Sequence, residues 1–116
     1  MQSLSSYFFL KTIGRQLRWT STFKEGDHVT VKRKITSEDV DKFIQLTGDH
    51  NPVHVTSKKP LVHGAFLNGL VSGIIGTKLP GFGAIVVEQT LKFPAPCYIG
   101  DEVCEILIYT LHLNIS

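Results

Sequence analysis

Cysteine is scarce in this chain: its 116 residues hold two, Cys97 and Cys104. They form neither a C-x-x-C pair nor a metal-ligand spacing, so no disulfide framework or redox motif is present, and two free thiols point to a reducing compartment. Charge of one sign is scarce as well. The formal net charge is +2, and much of the basic excess lies in the first twenty-odd residues and in Lys32-Arg33-Lys34. No continuous basic stripe with interleaved aromatics is left to follow a nucleic-acid backbone, which speaks against nucleic acid as a partner. Long apolar runs are missing too: the most apolar stretch, residues 64–79, falls short of the ~20 residues that cross a bilayer, which speaks against a membrane partner. Internal repeats and low-complexity segments are absent.

What is present is the composition of a packed protein, with 42% hydrophobic and 19% charged residues, too apolar for a disordered chain. The length allows one domain with a small core, one that a second copy would help to bury. Residues 1–24 stand apart from the rest. Lys11, Arg15 and Arg18 alternate with Ser3, Ser5, Ser6, Thr12 and Ser21, and no acid precedes Glu25. A basic, Ser-rich, acid-poor start has the signature of a mitochondrial transit segment and so predicts the matrix as destination. Leu4, Phe8, Ile13 and Leu17 give it a loose helical apolar face. A secretory signal fits less well, because Lys11 interrupts the short apolar stretch before it; an unstructured tail is the remaining alternative.

Residues 25–116 form the folded domain. Residues 28–35 alternate, with Val29, Val31 and Ile35 on one side and His28, Thr30, Lys32 and Lys34 on the other, which predicts a half-buried strand. Thr36 or Ser37 then caps a helix with Glu38 and Asp39 at its positive end, a stripe of Val40, Phe43, Ile44 and Thr47, and Gly48 as a left-handed stop. From 64 to 79 a second helix is apolar on nearly every side, so it must be buried. Gly69 and Gly73 in it suit close backbone contact with a wrapping sheet. After the turn Leu79-Pro80-Gly81-Phe82-Gly83, strands are expected at 84–93 and at about 103–113. A sheet curled around one apolar helix is an α+β arrangement. The last strand, ending at the C-terminus, needs a neighbour to cover its edge.

Chemistry concentrates in Thr47-Gly48-Asp49-His50-Asn51-Pro52-Val53-His54 and in Val62-His63-Gly64. Asp49 and His54 suit an acid–base pair holding one water, a device that contributes roughly 10²–10⁴-fold in rate. Backbone N–H groups near Gly64, at the start of the apolar helix, would stabilise negative charge developing on a thioester oxygen. A plainer account also fits each piece: Asp49 and Asn51-Pro52 as turn residues, and His63 as a satisfied structural histidine beside a buried helix.

The run from Gly48 to His54 resembles the signature of the MaoC-like, (R)-specific enoyl-thioester hydratases, a hot dog-fold family. His63-Gly64, Ser72, Leu79-Pro80-Gly81, Phe93-Pro94-Ala95-Pro96 and Gly100-Asp101-Glu102-Val103 follow in that family's order. The resemblance implies a hot dog fold, an antiparallel sheet wrapped around the apolar helix. It implies that Asp49 and His54 form the dyad, that Asn51 orients it, that Gly64 supplies the oxyanion N–H, and that Ser72 and His63 help to position substrate. It further implies reversible hydration of trans-2-enoyl thioesters carried by coenzyme A or acyl-carrier protein, with no metal or redox cofactor, in a homodimer. With the basic start, it points to the branch serving mitochondrial fatty acid synthesis. Two departures from the family pattern are visible. The link from His54 to His63 is shortened, as by an internal deletion, and strands that complete the family's sheet would lie beyond Ser116. An inactive acyl-thioester-binding or partner-binding fragment is therefore the alternative.

Overall fold

A computed structural model describes residues 2–7, 26–83, 85–86 and 89–108, with side chains from 26 to 103. Within it β1 (Gln2–Tyr7), β2 (His28–Lys34), α1 (Ser37–Thr47), α2 (Pro52–Val55), α3 (Gly64–Thr77) and β3 (Glu102–Ile108) follow in chain order. The strands make one sheet in the order β1-β3-β2, with β3 parallel to β1 and antiparallel to β2. Register pairs Val29 with Leu107, Val31 with Glu105 and Arg33 with Val103.

The alternation expected of β2 is present: Val29 and Val31 are half-buried, His28, Thr30, Lys32 and Lys34 are exposed, and Ile35 just beyond is fully buried. Ile35 also locks the sheet to the turn before β3. Its N–H donates to the Asp101 carbonyl at 3.0 Å and its carbonyl accepts from Gly100 N–H at 2.8 Å. Gly100 stands at φ +95°, a conformation that side chains with a Cβ rarely adopt.

Of the two expected caps, Thr36 is the one used. Its Oγ1 accepts from Asp39 N–H at 3.2 Å, while the Asp39 carboxylate accepts from Thr36 N–H at 3.0 Å, a reciprocal capping box. Arg33 reaches the same carboxylate at 2.8 Å, and Glu38 pairs with Lys42 one turn on at 2.7 Å. At the other end Gly48 at φ +74° returns its N–H to the Ile44 carbonyl. Val40 and Ile44 are buried and Phe43 is half-buried. Thr47, expected in that stripe, is exposed because its hydroxyl donates to the Phe43 carbonyl instead.

The core has two buried clusters. One joins Ile35, Val40, Ile44, Val62, Leu67, Cys97 and Val103; the other joins Val71, Ile74, Ile75 and Leu79, with Val29, Val31 and Val86 packed against it. Burial of apolar surface at about 25 cal/mol per Å² holds these together.

Three expectations need correction. The helix of residues 64–79 ends at Thr77 and is buried on one side only, since Ala65, Gly69, Ser72 and Gly73 are exposed. Among the described residues, a built Cβ at Gly69 or Gly73 would meet nothing within 4 Å, and a groove of about 310 Å³ opens there beside Val31 and Arg33. Residues 85, 86 and 89–93 belong to no strand. Both edges of β3 are taken by β1 and β2, so that stretch has no ladder to join there. Residues 2–7 are a strand on β3, where a helical face was expected from Leu4 onward, because an available sheet edge satisfies backbone groups that a short isolated helix leaves exposed to water. The expected transit segment beyond Tyr7 and the expected strand beyond 108 lie outside the described residues. No helix among the described residues is long and apolar enough to cross a membrane.

Two predictions concern the capping box. Thr36→Ala removes one of its two hydrogen bonds and should lower unfolding free energy by about 1 kcal/mol in urea denaturation. The Thr36 N–H, seconded by the Thr36 hydroxyl and Arg33, holds the Asp39 carboxyl below the usual carboxylate range against the opposing effect of burial. A lowered folded-state value stabilises the protein above the unfolded carboxylate pKa, and that stability is lost as pH falls through the folded value. Denaturation midpoints followed across the acid range should therefore fall less steeply in Asp39→Asn than in the unaltered chain.

Candidate functional site

Gly48 ends α1 and turns the chain, and three side chains then fix the path that follows. The Thr47 hydroxyl accepts from Asp49 N–H at 3.2 Å, the Asp49 carboxylate accepts from Asn51 N–H at 3.2 Å, and the Asn51 side chain caps α2 by accepting from Val53 N–H at 3.2 Å. These are Asx-type turns, built from the residue types that form them most readily. Pro52 opens α2 without sacrificing a donor, and the single turn places His54 near its end.

The shortened link returns the chain at Leu61. There the backbone N–H donates to the Val53 carbonyl at 3.0 Å, and the next N–H, of Val62, donates to Cys97 at 2.8 Å. The Leu61 carbonyl meets His54 Nδ1 at 2.5 Å. A carbonyl only accepts, so Nδ1 is the donor here, and in the neutral ring this places the lone pair on Nε2.

His63 is the N-cap of α3 and makes no side-chain capping bond. Its ring is 2% exposed. It stacks on His54 at 3.6 Å between centroids and 23° between planes, and Phe43 tilts against it at 4.8 Å. His63 Nε2 lies 3.3 Å from the Asp49 carbonyl and 3.8 Å from Asp49 Oδ2. One ligating atom each from Asp49, His54 and His63 thus lies within 4.8 Å of the others. The Asp49 side chain is about half exposed, at 49%, so the cluster has a buried floor and an open side.

Gly64 follows His63 at the positive end of α3, where first-turn N–H groups have no intrahelical acceptor. The Phe93 ring covers it: a built Cβ would come within 3.1 Å of the ring, so this position has room for little beyond hydrogen. Beside it opens an apolar cleft of about 360 Å³, lined by Leu61, Val62, Gly64, Leu67, Cys97 and the Phe93-Pro94-Ala95-Pro96 segment. Leu61, bonded to His54, and Gly64, next to His63 in the chain, both line this cleft, so it adjoins the cluster.

Of the residues singled out from sequence, Asp49, His54 and His63 come together, with Gly64 next in the chain. Asn51 touches the cluster through its backbone, its side chain being spent on the cap. Ser72 is not brought in. It is exposed on α3, eight positions or about two turns beyond Gly64. Sequence reasoning did not find the Leu61 carbonyl, which no side-chain pattern signals, nor the contact of Phe43 with His63, since Phe43 reads as an ordinary core position. Burial, then the charge of Asp101, pushes the Cys97 thiol pKa up, away from the thiolate form.

The chain has clear relatives. The pattern of the MaoC like domain matches residues 20–107. The 3-hydroxybutyryl-CoA dehydratase of Methylorubrum extorquens is 43% identical over 81 residues, 63% of this chain and 52% of the relative. A mitochondrial 3-hydroxyacyl-[acyl-carrier-protein] dehydratase of Arabidopsis thaliana is 34% identical over 88 residues, 69% of this chain and 52% of that one. The chain therefore spans about half the length of these two curated relatives. Among solved structures, the (R)-hydratase from A. caviae involved in PHA biosynthesis superposes with a TM-score of 0.73 at 31% identity, over 82% of this chain and 78% of that one. Sequence pattern, relatives and backbone agree: this chain belongs to the MaoC-like domain family and has its hot dog fold.

Proposed function

We propose that this chain adds water reversibly to trans-2-enoyl thioesters to give (R)-3-hydroxyacyl thioesters, with Asp49 and His54 as the acid–base pair. The observation that carries the reading is the meeting of Asp49 and His54: the Leu61 carbonyl fixes the His54 ring through Nδ1, and one ligating atom of each residue lies within 4.8 Å of the other, room for one water. As the water oxygen bonds to C3 of the enoyl group, the pair takes one of its protons, and a proton returns through the pair to C2. Between these events negative charge sits on the thioester oxygen. The N–H groups opening α3 at Gly64 are the donors for it, and one such donor typically lowers the barrier by about 2.7–4 kcal/mol. The apolar cleft beside Gly64 suits the acyl chain. Asn51 and His63 hold the pair in place, while Ser72 enters the reading through its place in the motif rather than through contact. The acyl group would be carried by acyl-carrier protein or coenzyme A, and the working unit would be a homodimer. The relatives support this chemistry, and the Arabidopsis one supports a mitochondrial setting; the matrix as the site of action is part of the proposal.

A second reading, thioester binding without turnover, is favoured by one observation. His63 lies against His54 and 3.8 Å from the Asp49 carboxylate, in space that a reacting water would need.

Hydration of a short trans-2-enoyl-CoA, followed by loss of enoyl absorbance, separates the two. Under the first reading Asp49→Asn and His54→Ala each lower kcat by roughly 10²–10⁴-fold with an unchanged circular dichroism spectrum; binding of the thioester with no turnover in the unaltered chain establishes the second. For the destination, residues 1–24 fused to a fluorescent reporter should carry it into mitochondria, and a reporter that stays in the cytosol removes the mitochondrial assignment.

A further inference from the structure

Residues 89–97 run back along the start of α3 and are held at both ends. Gln89 Nε2 donates to Asn68 Oδ1 at 2.7 Å, and the Cys97 carbonyl accepts from Val62 N–H at 2.8 Å. Asn68 lies four positions beyond Gly64 and so on the same face of the helix. Between these two clamps the segment belongs to no strand, and Pro94 and Pro96 have no N–H to offer a ladder. Phe93 stands midway along it. Its ring packs on Gly64, where a built Cβ would come within 3.1 Å, and the same ring lines the apolar cleft of about 360 Å³.

The walls of this cleft differ in what holds them. Val62, Leu67 and Cys97 belong to a buried core cluster, so that side cannot recede without opening the core. Phe93 belongs to neither cluster and is 49% exposed. Its ring therefore shapes the cleft while contributing little to the packing of the protein. An acyl group whose thioester oxygen is held at Gly64 begins its path beside this ring. The cleft volume is at the low end of the roughly 300–1,000 Å³ spanned by small-molecule sites, which suits a short acyl group and leaves the tail of a longer one in water.

We propose that Phe93 is the residue that limits acyl length, an inference that rests on the cleft holding the acyl group of a thioester: with the ring in place the site takes short chains, and removing the ring admits longer ones. The test is calorimetric titration of the full chain with butanoyl-CoA and octanoyl-CoA, saturated thioesters that cannot be hydrated. Each methylene that the protein buries strengthens binding by about fourfold. The unaltered chain should bind the two within that factor of each other, whereas Phe93→Ala should bind octanoyl-CoA at least ~10-fold more tightly than butanoyl-CoA, the worth of about two methylenes. Phe93→Tyr should keep the ratio of the unaltered chain. Phe82→Ala, at an exposed aromatic outside the cleft, should leave both affinities unchanged. Phe93→Leu, with an intermediate ratio expected, keeps the test open should Phe93→Ala lose its circular dichroism spectrum. An unaltered chain that already favours octanoyl-CoA, a ratio that neither Phe93→Ala nor Phe93→Leu moves, or no binding of either thioester overturns the proposal. Hydration of trans-2-butenoyl-CoA with a ratio insensitive to Phe93 refutes this inference alone; the expected ratios without hydration refute the hydratase reading alone.

Discussion

The backbone at Leu61 and Val62 is the constraint on which the site depends. Leu61 donates to Val53 and accepts from His54, and Val62 donates across to Cys97, which ties α2, the start of α3 and the segment before β3 into one knot. Each of these bonds is worth only about 0.5–1.5 kcal/mol net. Their importance lies in direction. Without the Leu61 carbonyl, His54 has no fixed tautomer; without the return of the chain at this point, His54 and His63 do not meet.

Much of this was legible in the residues, and the reasons are local. Thr36 with Asp39 three positions on, and Gly48 after the last apolar residue of α1, are signals whose physics acts within a single turn. Val29, Val31 and Ile35 report the pleat of β2 directly. The motif from Gly48 to His54 drew attention to Asp49 and His54, and both lie in the cluster. What was not legible depends on distant partners. Residues 85, 86 and 89–93 have the composition of a strand, but a strand exists only by pairing, and the edges of β3 went to β1 and β2. The stack of His54 on His63 likewise depends on how far the segment from Val55 to Val62 carries the chain, which composition does not tell.

His63 shows how the two descriptions of a residue merge. It is buried like a structural histidine, packed by Phe43 and by His54, yet its Nε2 faces the backbone and carboxylate of Asp49. Packing energy holds a polar ring in a place where one of its nitrogens has nothing to bond. A well-packed apolar residue there would cost the protein less, which makes the imidazole itself the informative feature.

Helix α3 supplies Leu67 to one buried cluster and Val71, Ile74 and Ile75 to the other, and its first residues are His63 and Gly64 of the site. Its own tendency to be helical is low: Gly69, Gly73 and Gly76 each weaken it by roughly 0.5–1 kcal/mol relative to alanine, and its N-cap adds no side-chain bond. The helix thus owes its order to the two clusters it joins. Opening the site end of α3 loosens both halves of the core, and loosening either half releases the site. Cluster and core are one cooperative unit.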